Sequence, residues 1–111
     1  MTETLSHHRA KRAAAGKGGR TEVPLPRGRK LDALSKTGKR ATEIERSRHT
    51  TRLKAAIRRL RDSRAKQKVL RVPQRNFAKA VQMMRSLGVS GAVSNISGTQ
   101  RQAVRKCRTR R

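Results

Sequence analysis

The sequence predicts a small α/β domain over residues 21–97, with a mixed sheet and the order strand, strand, strand, helix, strand, helix, strand. Three observations predict it. Apolar residues recur at helical spacing in two separate stretches, 51–64 and the segment between Pro73 and Gly88. Short apolar runs alternate with those stretches, which implies strands alternating with helices and some parallel pairing. The two ends of the chain are basic and poor in large apolar side chains, so the core lies between them.

The elements follow in order. Residues 1–20 contain His7-His8-Arg9-Ala10-Lys11-Arg12 and then Gly16-Lys17-Gly18-Gly19-Arg20. Small and charged residues bury too little to offset the entropy of ordering, so this segment is expected to be a disordered basic tail. Thr21 to Pro26 is limited to extended conformations by its two prolines. Residues 30–35 and 40–47 are expected as two strands around the turn Lys36-Thr37-Gly38-Lys39. In the first predicted helix, Leu53, Ala56, Ile57 and Leu60 share one face. Residues 67–72 form a short apolar strand stopped by Pro73. The second helix places Phe77, Ala80, Val81, Met84 and Leu87 on one face, with Gly88 as its stop. Residues 91–97 are expected as the last strand, and 98–111 as a second basic tail. No internal repeat is visible.

Charge narrows the function. The chain carries 31 Lys plus Arg against 6 Asp plus Glu, a formal net charge of +25. Such an excess repels itself, and a polyanion relieves the repulsion while releasing its condensed counterions. DNA or RNA is therefore the expected partner, with a homodimer or a larger nucleoprotein assembly as the expected form of association. The expected contacts are Arg52, Lys54, Arg58, Arg59 and Arg61 on the first helix, and Arg101, Arg105 and Lys106 in the C-terminal tail. Phe77 is the only aromatic residue, which removes base stacking on aromatic platforms as the mode of binding. No apolar run is long enough to span a bilayer, so no membrane role is expected. Cys107 is alone, which removes an internal disulfide and a cysteine zinc site. With no signal-peptide pattern in the first residues, a cytoplasmic or nucleoid-associated location is expected.

The six acids are informative because they are few. Asp32, Glu43 and Glu45 all fall in the predicted hairpin. With Thr37-Gly38 at its tip, Asp32 lies opposite Glu43 and Lys30 opposite Glu45. Alternation along a strand puts the three carboxylates on one face. Like charges directly opposite one another destabilise a sheet. A hard divalent cation such as Mg²⁺ or Mn²⁺, held by Asp32, Glu43 and Glu45, would explain the grouping.

At Arg29-Lys30-Leu31-Asp32-Ala33 and Ala41-Thr42-Glu43-Ile44-Glu45-Arg46 the sequence resembles the PD-(D/E)XK, or restriction-endonuclease-like, nuclease superfamily. It is also similar to the short nuclease domains at the ends of bacterial polymorphic toxins. The resemblance implies a restriction-endonuclease-like core, metal ligation by Asp32 and Glu43, and a match between Glu22 and an upstream acid. Two positions depart from the pattern. Leu31 stands where the family has Pro, and Glu45 stands where it usually has Lys. Lys30 or Arg46 would then have to supply the missing cation, which makes Lys30 a candidate catalytic residue beside the three acids.

Two readings follow. One is a metal-dependent nuclease. The other is a non-catalytic binder that packages, protects or chaperones DNA or RNA, needs no cofactor and leaves the hairpin acids as solvated strand residues. His7-His8 reads as tail composition, His49 as a loop residue and Met83-Met84 as helix packing.

Overall fold

A computed structural model describes residues 4–105. Among them are three α-helices, α1 (Leu5–Ala15), α2 (Thr50–Asp62) and α3 (Phe77–Ser86). Six strands form one mixed sheet: β1 (Arg20–Pro24), β2 (Lys30–Leu34), β3 (Arg40–Ile44), β4 (Gln67–Val72), β5 (Gly91–Asn95) and β6 (Arg101–Val104). Their order across the sheet is their order in the chain. The first three strands are antiparallel, β3–β4 and β4–β5 are parallel, and β6 returns antiparallel to β5. The two parallel steps are the ones that carry a helix, because a parallel neighbour can be reached only by a crossover.

The two predicted helices form for the predicted reason. Leu53, Ala56, Ile57 and Leu60 of α2 are buried, as are Phe77, Ala80, Val81 and Met84 of α3. They meet Leu70 and Val72 of β4, Val93 of β5 and Val104 of β6 in a single apolar cluster. Burying each large side chain of that cluster is worth about 1.5–3 kcal/mol.

Both ends of the chain correct the sequence reading. The expected N-terminal tail is largely helix α1. Thr4 caps it by accepting the amide of His7, and Gly16, at φ 72°, ends it. Three consecutive alanines, 13–15, favour the helix, and its inward positions are small or amphipathic rather than absent. Lys11 and Ala15 are buried and His7, Ala10 and Ala14 are half-buried, at i, i+3, i+4 spacing. Both α1 and α2 pack on β2 and β3 with little contact between them, which places them on opposite faces of the sheet. Gly19 then brings the chain back under the helix. A Cβ there would come within 2.1 Å of the Ala15 carbonyl oxygen.

The expected C-terminal tail likewise contributes β6. Asn95 builds the turn that returns it: its Nδ2 donates to Thr99 Oγ1 at 2.8 Å and to Gln74 Oε1 at 2.9 Å, and its Oδ1 accepts from the Gln100 amide. Residues 106–111 lie outside the described residues.

Candidate functional site

The β2–β3 hairpin has the predicted register, with Ala33 opposite Thr42 and Leu34 opposite Ala41. One step further, Asp32 and Glu43 meet, and the backbone ladder gives way to their side chains. The Asp32 amide donates to Glu43 Oε2 at 2.8 Å, and the Ile44 amide donates to Asp32 Oδ2 at 2.8 Å. Each carboxylate thus satisfies a backbone group of the other strand that would otherwise lack a partner. The neighbouring β1–β2 ladder breaks at the same level. Thr21 pairs with Ala33 and Val23 with Leu31, while Glu22 between them has a left-handed φ of 52°.

The remaining carboxylate oxygens are taken by cations from the two helices that sandwich the hairpin. Lys11 of α1 reaches to 3.4 Å from Asp32 Oδ1. Arg59 of α2 donates from Nε to Glu43 Oε1 at 2.8 Å. The result is a charge chain through the sheet, Lys11–Asp32–Glu43–Arg59. Glu43 has no exposed surface. Burial, reinforced by the negative charge of Asp32 and opposed by Arg59, raises its pKa from 4.5 to about 7. Desolvation outweighs the salt bridge here, as it often does for a buried ion.

The other acids are elsewhere. Glu45 lies past the last residue of β3, and its Oε2 accepts the amide of Ser47 at 3.0 Å. Glu22 is exposed. Lys30 is also exposed and sits opposite Pro24 of β1. Arg46 donates from Nη2 to Ser6 Oγ at 3.2 Å, so it anchors the first turn of α1. Asp32 and Glu43 are therefore brought together as predicted. Glu45 and Lys30 are not part of that pairing, and no group of three His, Cys, Asp or Glu able to hold a metal ion occurs among the described residues.

The fit to Mg²⁺ or Mn²⁺ can be judged from the donor set. Two carboxylates suffice for Mg²⁺ when waters and phosphate oxygens complete its shell. Here all four oxygens already accept from an amide or a cation. Lys11 and Arg59 supply the positive charge a divalent ion would bring, and they would have to leave for one to enter. As placed, these residues do not fit a resident metal.

Of the expected phosphate contacts, Arg52, Lys54, Arg58 and Arg61 are exposed on α2. Lys54, Arg58 and Arg61, at i, i+4 and i+7, form one stripe on the helix surface. Arg61 shares the carboxylate of Asp62 with Arg29. Arg59 is turned inward to Glu43, a departure from its expected role. Arg101 and Arg105 are exposed at and just after β6, and Lys106 lies outside the described residues. Sequence reasoning missed Lys11, whose signal was the i, i+4 relation to Ala15. It also missed the basic residues around the hairpin turn.

No protein-family model, curated protein or solved structure matches the chain. No helix among the described residues is long and apolar enough to cross a membrane.

Proposed function

We propose that this chain is a nucleic-acid-binding protein that grips the phosphate backbone. The observation that carries the reading is where the opposite charges go. Asp32, Glu43 and Asp62 are held by the chain's own Lys11, Arg59, Arg29 and Arg61. Arg52, Lys54 and Arg58 face solvent on α2, and the one acid of that helix, Asp62, is already held by Arg29 and Arg61. Such binding is electrostatic and largely indifferent to base sequence. Titrating labelled DNA and RNA with the chain tests it. If six or more phosphates are contacted, affinity falls by about 10³ or more between roughly 50 and 200 mM salt. A flat salt dependence would refute the reading.

A second reading, a metal-dependent nuclease, is favoured by one observation, the direct meeting of Asp32 and Glu43 where two strand ladders break. Lys11 and Arg59 count against it. Incubation with DNA and RNA in millimolar Mn²⁺ decides: cleavage that Glu43→Gln abolishes supports the nuclease, and intact nucleic acid retires it.

A further inference from the structure

Two clefts lie side by side along the hairpin-turn end of the sheet. The first, about 410 Å³, opens between the C-terminus of α1 and the β2–β3 turn, and its charged lining is Lys17, Lys36, Lys39 and Arg40. The second, about 250 Å³, lies over the starts of β4 and β5, and its charged lining is Lys66, Lys68 and Arg101. Neither lining contains an acid. Gln67 lines both, and Arg40 Nε donates to Gln67 Oε1 at 3.3 Å across their common boundary.

We infer that these two clefts form one continuous track that takes a phosphodiester backbone. The inference rests on the nucleic-acid reading above and assigns it a site other than α2. Several features fit the track to phosphate. A helix C-terminus normally carries partial negative charge, and α1 ends beside the first cleft. There Arg12, in the last turn of α1, donates from Nη2 to the carbonyls of Gly16 and Gly19 just past the helix at 2.9 and 3.0 Å, which sets a positive charge beside that terminus. The boundary carries an amide and a guanidinium, both able to donate to phosphate oxygens. Gly91 supplies part of the second floor, where a Cβ would stand 2.2 Å from the Lys68 carbonyl oxygen. A third cleft offers a contrast: Arg27, Arg29, Arg61 and Arg64 surround Asp62, which already holds two of them.

The span suits the ligand. From β3 to β6 is three inter-strand steps, roughly 14 Å. Over that length one strand of B-form DNA presents about four phosphates.

The test compares three proteins: the parent, the cleft variant Lys17→Gln/Lys36→Gln/Lys39→Gln, and the control Arg9→Gln/Arg75→Gln/Arg85→Gln. All six replaced residues are exposed, and both variants lose the same charge. Each is titrated with duplex DNA, single-stranded DNA and RNA over a range of salt, after thermal unfolding has shown each to be folded. The cleft variant is expected to lower the slope of log affinity against log salt by about 2 to 3, and the control to lower it by less than one. Equal losses in the two variants, or an unchanged slope in the cleft variant, overturn the track and leave the nucleic-acid reading standing. A parent that binds none of the three probes overturns that reading, and the track with it. The separate DNA and RNA titrations assign the backbone.

Discussion

Glu43→Gln tests the account of the buried charge chain directly. In the folded protein Glu43 keeps its proton up to about pH 7, against an ordinary value of 4.5. Between those values the native state binds more protons than the unfolded chain. Its contribution to stability is therefore fully present below about pH 4.5 and is lost as pH rises through 7. Across the interval from about pH 5 to about pH 8, this group alone should cost the parent about 2 to 3 kcal/mol. Gln has the same shape, does not titrate and can still accept one of the two hydrogen bonds. Arg59, a quarter exposed, can turn to water when its partner is neutral. The measurement is urea unfolding of both proteins at the two pH values. The parent should lose about 2 to 3 kcal/mol relative to the variant on going to the higher pH. In a domain of this size, that equals a relative drop in Tm of roughly 8 to 20 °C. A stability difference that stays constant with pH would mean that Glu43 is ionised throughout, and that Arg59 rather than burial governs it.

Four further outcomes follow from the packing. Lys11→Met should destabilise the fold by about 1–3 kcal/mol, because Asp32 is left half-buried without its cation, with the loss measured by urea unfolding near neutral pH. Deleting residues 1–16 should lower Tm markedly and weaken cooperativity, since α1 covers β1, β2 and β3; an unchanged melt would return this segment to the status of a tail. Gly19→Ala should cost about 1–3 kcal/mol through collision with the Ala15 and Leu34 carbonyl oxygens. Gly28→Ala, with no atom within 4 Å of the added Cβ and φ 74°, should cost only about 1 kcal/mol in thermal melts.

The middle of the chain was legible because large apolar side chains mark it. Leu53, Ile57 and Leu60 on α2, and Val69, Leu70 and Val72 on β4, announce their elements through spacing alone. The register of Asp32 against Glu43 was legible because Thr37 and Gly38 fix the turn between them, and Gly38 does take a left-handed φ of 75°. Glu45 was misplaced because alternation holds only while the strand continues, and β3 stops at Ile44. Helix α1 was hidden because alanine and lysine carry little hydrophobic signal. An amphipathic lysine can nevertheless lay its stem on a core and present its charge to a carboxylate, and no window of the sequence places Asp32 under Lys11. Strand β6 was hidden for a related reason. Arg101, Gln102 and Ala103 are exposed, and only Val104 reaches the core. The inward turn of Arg59 depends on a partner sixteen residues away in the chain, so helix periodicity could only assign it to the surface with its neighbours.

The sequential strand order has a consequence for how the chain reaches its native state. No strand must be inserted between two already placed, so each new strand adds at a free edge beside its predecessor. The loops that close are then short to moderate, and the entropic cost of closing a loop grows only slowly with its length. Contacts of this kind favour faster folding than sheets built from distant partners. A chain leaving the ribosome could assemble the α1–β3 meander first and extend it by one crossover at a time, finishing with β6. Refolding of the full chain should therefore be a single fast phase, and a segment ending after β4 should already protect the amides of β2 and β3 from hydrogen exchange.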